Sequence, residues 1–419
     1  MFCRRLRRPN AAVRETSRSR AIGVTRPAFE LAHVFRQYGP AYRSRRSVAL
    51  RHLRVMRAVE TCRTAVLGGH AEQCSQCDYT RIAYNSCRNR HCPKCQNRER
   101  ARWLESRRGE LLPVEYFHVV FTVPEQIARL AFYNQEAVYG LLFRAAAQAL
   151  LTIARDPKHL GAEIGFFGIL HTWGQNLLYH PHVHFVIAGG GIGPGLEWVS
   201  CRPGFFLPVR VLSRLFRRVF LENLKQAFRL KQLQFWGEIA TLASEPAFLH
   251  YLVPVENTAW VVYAKKPFGG PQKALDYLGR YTHRVAISND RILNVSQGQV
   301  TFQWRDYRAE QKYKSRVMTV SADEFIRRFL LHTLPPGFQR IRHFGFLANR
   351  FRQHKLELCR KLLSNPAREL LPQPAQCRAA SCVMQVQPFN WCPQCSSGIL
   401  IRIAIIAAYR WPERPPDSS

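Results

Sequence analysis

Acidic residues and long apolar runs are both scarce in this sequence. Its 419 residues include 62 Lys and Arg but only 28 Asp and Glu, so the formal net charge is +34 and the pI is near 10.4. So many uncompensated positive side chains repel one another unless an anion is bound, and nucleic acid is the first candidate. The alternative is a basic protein that is merely soluble, such as one associated with ribosomes or with a membrane surface.

The shortage of long apolar runs argues against a membrane span. The one late apolar stretch, from Gly398 to Tyr409, is short and interrupted by Arg402. The opening Met1-Phe-Cys-Arg-Arg is charged but is not followed by the apolar core of an export signal. We therefore expect no membrane association. In a chain without a secretory signal, crowded cysteines indicate metal ligands and not disulfides.

Apolar periodicity predicts a chain of helices and strands in two or three domains. Residues 1–27 are Arg-rich with few apolar anchors and are expected to form a disordered basic arm. Two helices separated by Tyr38-Gly-Pro40 are predicted between residues 27 and 60. Further helical regions are predicted over 125–154 and 207–248, and strands over 116–124, 165–171, 180–191 and 259–264.

Cysteines and histidines cluster between residues 62 and 95. Cys74-Ser-Gln-Cys77 and Cys92-Pro-Lys-Cys95 are two knuckles about fifteen residues apart, a spacing typical of one tetrahedral zinc site of the ribbon type. Eight ligands would close two coordination spheres, so the zinc is expected to be structural. The ligands left for a second site are Cys62, His70, Cys87 and His91, and the basic residues around the knuckles that such a module could display to DNA are Arg88, Arg90 and Lys94.

The stretch His180-Pro-His182-Val-His184 predicts a metal site of another kind. Side chains alternate along a β-strand, so His182 and His184 point to the same face. The apolar flanks indicate a buried strand, where an imidazole needs a partner that a metal ion can supply. The alternative is a strand of solvated or mutually hydrogen-bonded histidines. A short connection makes the preceding strand an antiparallel neighbour, so His171 is the preferred third ligand, with Gln175 and His180 as alternatives.

Two tyrosines follow on a predicted helix. Pro271 stands at a first-turn position and is followed by helix formers, which predicts a helix start. Tyr277 and Tyr281 are four residues apart, so both hydroxyls lie on one face, with β-carbons about 6 Å apart. Core or interface packing is the usual role of such a pair. The basic residues on or beside this face are Lys273, Arg280 and Arg284.

In their order along the chain, these motifs resemble those of the HUH single-strand nucleases, and most closely the IS91-type rolling-circle transposases. The resemblance covers roughly residues 30 to 350 and excludes the Arg-rich opening and the tail beyond about Leu371. The stretches that carry it are Cys62-Arg-Thr-Ala-Val-Leu-Gly-Gly-His70, Tyr84-Asn-Ser-Cys-Arg-Asn-Arg-His-Cys-Pro-Lys-Cys95, Phe117-His-Val-Val-Phe-Thr-Val-Pro124, His180-Pro-His-Val-His184, Tyr277-Leu-Gly-Arg-Tyr-Thr-His-Arg284 and Glu324-Phe-Ile-Arg-Arg-Phe-Leu-Leu-His332.

The resemblance implies an α+β fold, with a central antiparallel sheet of the HUH-nuclease type flanked by helices and preceded by a zinc-ribbon module. We expect a helical and zinc-binding domain over 28–112, a nuclease domain over 113–350 and a basic helical tail over 351–419. In the tail, Cys392-Pro-Gln-Cys395 is a possible degenerate zinc knuckle. A cytoplasmic, nucleoid-associated protein of a bacterium is expected.

The resemblance also implies the chemistry. His182, His184 and His171 would hold Mg2+ or Mn2+ at the scissile phosphate. Tyr277 or Tyr281 would attack phosphorus in single-stranded DNA, leaving a 5′-phosphotyrosine and a free 3′-OH, and Arg280 would help the phenolate form. The alternatives are a catalytically inactive zinc-ribbon DNA-binding remnant or regulator, and an RNA-binding translation factor.

The expected partners are single-stranded DNA and the hairpin or duplex DNA of an element end. Phosphate contacts are expected from Arg88, Arg90, Lys94, Lys273, Arg284, Arg328, Arg340 and Arg342. Trp260, Tyr263, Arg305 and Tyr307 are candidates for stacking and phosphate contacts in a single-strand groove, with core packing as the preferred role of Trp260.

Overall fold

The structure is a computed structural model that describes residues 27–265, 270, 273, 279, 285–305, 315–364 and 391–409. Almost all of the predicted basic arm, residues 1–27, lies outside these ranges. The described chain combines helices with antiparallel sheets, which confirms the α+β class. The predicted domain boundaries stay a prediction.

The first two helices are α1 (Leu31–Arg45) and α2 (Leu50–Thr61). The prediction that they separate at Tyr38-Gly-Pro40 was wrong, because α1 continues through Pro40 and the chain turns at residues 46–49. Proline in a helix costs roughly 3 kcal/mol. Apolar side chains before and after it, Phe35 and Tyr42, are both buried, and burial stabilises by about 1.5–3 kcal/mol for each large apolar side chain. The continuous buried stripe outweighs the lost backbone hydrogen bond.

A small sheet joins the two ends of the described chain. Strands β1 (Gly69–Cys74) and β2 (Thr80–Tyr84) form a hairpin, and β12 (Leu400–Ile406) pairs antiparallel with the other edge of β1. The tail, predicted as helical, therefore also contributes a strand to the N-terminal module.

The central sheet is antiparallel throughout, with the order β11-β4-β5-β3-β7. Its two longest strands, β4 and β5, form the hairpin predicted from their short connection. Helix α3 (Pro93–Arg108) precedes this sheet, and β6 (Trp198–Ser200) pairs with the end of β5. The strands are β3 (Tyr116–Thr122), β4 (Glu163–Trp173), β5 (Tyr179–Ile192), β7 (Val262–Lys265) and β11 (Ile341–Gly345).

Helices cover one face of the central sheet and form the largest core. Interlocking rings from β3, β5 and α6 lie at its centre: Phe121 meets Phe185 with centroids 5.7 Å apart and Phe216 with centroids 5.0 Å apart, both edge to face. Helix α5 is long and apolar enough to cross a membrane, but 67% of its most apolar window is buried inside the protein, as in a core helix. The helices are α4 (Glu125–Tyr133), α5 (Gln135–Arg155), α6 (Val209–Arg229) and α7 (Glu245–Asn257).

A second core lies between the N-terminal helices and a three-stranded sheet. Phe35 of α1 meets Phe329 of helix α8 (Ala322–Leu330) at 5.5 Å between ring centroids. Ser321 caps that helix by accepting a hydrogen bond from the backbone N–H of Glu324. The elements are β8 (Ile292–Ser296), β9 (Gln299–Arg305), β10 (Ser315–Ser321) and α8 (Ala322–Leu330), followed by α9 (Arg352–Leu363) after β11.

Candidate metal centres and active site

Three histidines meet on the face of the central sheet opposite the large core. His171 of β4 stands directly across the ladder from His182 of β5, and His184 follows two residues later on the same face. One ligand atom from each of the three rings lies within 4.8 Å of the others. His171 and His184 are buried, with 2% and 8% of their surfaces exposed. The alternation of the two strands therefore brings together the predicted ligand set, and three imidazoles can bind a divalent metal ion.

The other two candidates for the third ligand lie differently. The side chain of His180 is exposed, and its backbone carbonyl accepts a hydrogen bond from His182 Nδ1 at 2.7 Å. The backbone carbonyl of Gln175 accepts from Arg291. Because a carbonyl can only accept, neutral His182 carries its proton on Nδ1, and Nε2 is the ring nitrogen whose lone pair can bind a metal.

A fourth histidine, which sequence reasoning missed, supports the cluster from β3. His118 Nε2 lies 2.8 Å from His184 Nδ1, and the two rings are nearly parallel, 8° apart. His118 is 3% exposed, and burial, with smaller contributions from Lys265 and His182, lowers its pKa to about 3. It is therefore neutral, and its nitrogen can accept the Nδ1 proton of His184, which leaves His184 Nε2 for a metal.

Two exposed side chains lie on the histidine face at the β7 edge of the sheet. Tyr263 pairs with Val120, and Lys265 pairs with His118, so both β7 side chains share the face of the histidines. Tyr263 is 55% exposed, whereas Trp260, just before β7, is 3% exposed and donates its indole N–H to the Val255 carbonyl, which confirms its core role. The other end of this face is covered by α3 and α9.

The predicted nucleophiles Tyr277 and Tyr281 lie outside the described residues, as do Arg280, Arg284 and Tyr307. Between the tyrosines, Gly279 is helical and packs so closely on α3 that a β-carbon there would stand 2.6 Å from the Leu104 side chain. The neighbouring residue on α3, Trp103, meets Phe167 of β4 at 5.8 Å between ring centroids. Gly279 thus contacts the helix that covers part of the histidine face.

The structure corrects the predicted grouping of the cysteines. Two separate clusters of four occur among the described residues, each with its sulfur atoms within 4.8 Å of one another. Cys92 and Cys95 do not join Cys74 and Cys77, because their partners are Cys62 and Cys87. Cys62 caps the end of α2 and Cys92 the start of α3, so the first cluster joins two helices. The second cluster consists of Cys74, Cys77, Cys392 and Cys395.

The two histidines predicted as zinc ligands belong to neither cluster. His70 Nε2 lies 2.8 Å from Glu72 on the same strand. His91 accepts a hydrogen bond from the backbone N–H of Leu334 at 3.4 Å, and burial lowers its pKa to about 3. Four thiolates alone satisfy the tetrahedral preference of zinc, so each cluster is a complete donor set without an imidazole.

Most of the predicted DNA-contacting cations make contacts within the protein. Arg90 donates to the carbonyls of Pro335 and Phe338, and Lys94 pairs with Glu30 at 2.5 Å. Arg328 pairs with Glu324 at 2.6 Å, and Arg342 lies 4.6 Å from the centroid of Phe143. Burial lowers the pKa of Arg340 to about 10. Arg88 and Lys273 are the exposed members of the described set.

Comparison with known proteins identifies the family. Residues 34–123 match a family described as "Transposase zinc-binding domain", and residues 165–355 match one described as "Putative transposase". The chain is 56% identical over 400 residues to the "Putative transposase y4qJ" of Sinorhizobium fredii, covering 94% of this chain and 100% of that protein. The chain belongs to the IS91-type transposases.

A more distant relative agrees with this membership. The IS91-type chain is 28% identical over 350 residues to the "Transposase for insertion sequence element IS801" of Pseudomonas savastanoi pv. phaseolicola, with 82% of each chain covered. No solved structure matches the chain. Membership implies DNA binding, and the zinc-binding match agrees with the cysteine clusters.

Proposed function

We propose that this IS91-type transposase nicks and rejoins single-stranded DNA at element ends through a 5′-phosphotyrosine intermediate, in rolling-circle transposition. The convergence of His171, His182 and His184 on one face of the central sheet is the observation that carries the proposal. The expected location is the bacterial cytoplasm at the nucleoid.

The three imidazoles would hold Mg2+ or Mn2+, and such an ion would polarise a phosphate oxygen and offset developing negative charge. The residues around them fix their orientation. The His180 carbonyl holds the His182 ring, and His118 holds the His184 ring. Such outer hydrogen bonds set the tautomer that leaves a lone pair directed at the cluster.

The nucleophile would be the hydroxyl of Tyr277 or Tyr281. Attack forms an O–P bond to the tyrosine and breaks the bond to the 3′ oxygen, so no water or nucleotide is consumed. An unperturbed tyrosine has a pKa of about 10, so its proton must be lost as it attacks, and Arg280 would help to stabilise the phenolate. A free 3′-OH can later attack the phosphotyrosine and restore the diester, and two tyrosines allow two strand ends to be held.

The substrate would be single-stranded at the cut. On β7, the exposed Tyr263 would stack on a base, and Lys265 would contact a phosphate. Stacking on exposed aromatic rings, combined with cations, is typical of single-strand binding. The other candidate function is a catalytically inactive DNA-binding remnant or regulator, which the zinc-binding module alone would support.

The test uses a single-stranded oligonucleotide from the element end, labelled at either end, with full-length protein and Mn2+. We expect a denaturation-resistant complex that keeps the 3′ label and releases the 5′-labelled strand. The complex should be lost in His182→Ala and in the double variant Tyr277→Phe, Tyr281→Phe, with DNA binding largely kept. The exposed His159→Ala serves as the control. DNA binding by the unmodified protein without any adduct would favour the inactive binder.

A further inference from the structure

The second cysteine cluster joins two distant parts of the chain. Cys74-Ser-Gln-Cys77 follows β1, and Cys392-Pro-Gln-Cys395 lies in the tail. The Sγ atoms of Cys74 and Cys395 are 3.6 Å apart, as are those of Cys77 and Cys392. The zinc-binding match ends at residue 123 and the transposase match at residue 355, so each match leaves the tail pair outside.

We propose that Cys74, Cys77, Cys392 and Cys395 bind a second Zn2+, separate from the ion of the Cys62 cluster, and that this zinc holds the tail segment 391–409 on the N-terminal module. This inference is independent of the proposed nuclease chemistry.

The sulfur geometry fits a tetrahedral zinc site. A Zn–S bond of about 2.3 Å places the sulfurs of a regular tetrahedron roughly 3.8 Å apart, close to the separations here. Backbone N–H groups point at three of the sulfurs: Gln76 N–H donates to Cys74 at 3.3 Å, Gln394 N–H to Cys392 at 3.4 Å and Gly398 N–H to Cys395 at 3.3 Å. Such hydrogen bonds stabilise thiolates, the form that binds metal.

The backbone around the cluster is built to bring the two knuckles together. Ser75 N–H donates to the Ile399 carbonyl at 2.9 Å, and Ile399 N–H donates to the Ser75 hydroxyl at 3.1 Å. Gly398 lies so close that a β-carbon there would stand 2.4 Å from Cys74 Sγ, so this position requires glycine.

Apolar burial adds little at this junction. Among the described residues, the apolar cluster around it has three buried members, Cys74, Cys392 and Leu400, and two of these are the ligands themselves. The remaining contact is the backbone pairing of β12 with β1. Each knuckle supplies two sulfurs, so neither completes a tetrahedral site alone. Metal binding should therefore be coupled to the docking of the tail and stabilise the β1–β12 pairing.

The first test is the zinc content of the purified full-length protein, measured by mass spectrometry of the metal. Every protein compared carries His182→Ala, so that zinc in the histidine cluster does not enter the count. We expect two zinc ions per chain when all cysteines are intact and in Cys359→Ser, which changes a buried cysteine of α9 outside both clusters. Cys392→Ser should contain one. Two ions in Cys392→Ser, or one with all cysteines intact, would overturn the proposal.

Alkylation of the native protein, followed by peptide mapping, tests the pairing. In Cys392→Ser, we expect Cys74, Cys77 and Cys395 to become reactive while the Cys62 cluster stays protected. Continued protection of Cys74 and Cys77 would contradict the pairing. If Cys392→Ser loses both ions, the zinc content of Cys392→His is measured next, because imidazole can replace a thiolate as a zinc ligand. Two zinc ions per chain in Cys392→His would support the site, and one or none would overturn it.

Discussion

His118 should tune the affinity of the histidine site without binding the metal itself. Its Nε2 atom lies 2.8 Å from His184 Nδ1, inside the sheet, and orients the ring that carries the candidate ligand nitrogen. Loss of such an outer hydrogen bond typically weakens metal binding about 10–100-fold, or roughly 1.4–2.8 kcal/mol. The variant His118→Leu fills the buried position with an apolar side chain but cannot form the hydrogen bond. We therefore expect it to raise the Mn2+ dissociation constant by about 10–100-fold.

The affinity can be measured by titrating zinc-loaded, full-length protein with Mn2+ and following free Mn2+ by electron paramagnetic resonance. His118→Gln, which can still hydrogen-bond, should recover part of the loss, and the exposed His159→Leu should bind as the unmodified protein does. At saturating Mn2+, strand cleavage by His118→Leu should largely return, because the ligands themselves remain. Equal Mn2+ affinity in His118→Leu and the unmodified protein would refute the reasoning.

Three further predictions concern stability, measured by chemical denaturation. Burial lowers the pKa of His332 to about 4 in the folded protein. As the pH falls, His332 is therefore protonated in the unfolded chain before it is protonated in the folded protein, and the free energy of unfolding should drop by about 2 kcal/mol between pH 7 and pH 5. His332→Gln should not show this loss of stability. If the free energy of unfolding of His332→Gln depended on pH as steeply as that of the unmodified protein, the prediction would be wrong. The hydrogen bond from Arg327 lowers the pKa of Glu324 to about 2, so its stabilisation is present above pH 4.5 and falls away towards pH 2. Because solvent screens this partly exposed pair, Glu324→Gln should lower the free energy of unfolding by only about 1 kcal/mol at pH 7 and by little at pH 2; equal costs at the two pH values would exclude the ion pair. Gly345 has φ +59°, and a β-carbon there would stand 1.8 Å from the Ile164 carbonyl oxygen, so Gly345→Ala should cost about 2–4 kcal/mol; an unchanged midpoint would contradict this.

Features set by local pattern were predictable from the sequence. The alternation of His182 and His184, together with a connection too short for a crossover, was enough to place His171 across the ladder. The buried stripe of α5 followed from its apolar periodicity in the same way. In each case the residues that decide the structure are close together in the sequence.

Features that depend on distant residues were not predictable. Cys74 and Cys77 lie beside cysteines more than 300 positions away, whereas sequence spacing alone favoured the nearer pair, Cys92 and Cys95. The only signal was the repeated Cys-x-x-Cys in the tail. His118 is an isolated polar residue among apolar neighbours in β3, a pattern that normally indicates a core position, and only the strand register reveals its contact with His184.

We propose that the three histidines form the metal site at which a tyrosine attacks DNA. A crystal structure of the protein with Mn2+ and a single-stranded oligonucleotide from the element end, using the anomalous signal of manganese, would test this arrangement. We expect a manganese peak bound by His171, His182 and His184, with the hydroxyl of Tyr277 or Tyr281 facing the adjacent phosphate. Manganese bound elsewhere, or both hydroxyls on the opposite side of the sheet, would contradict it.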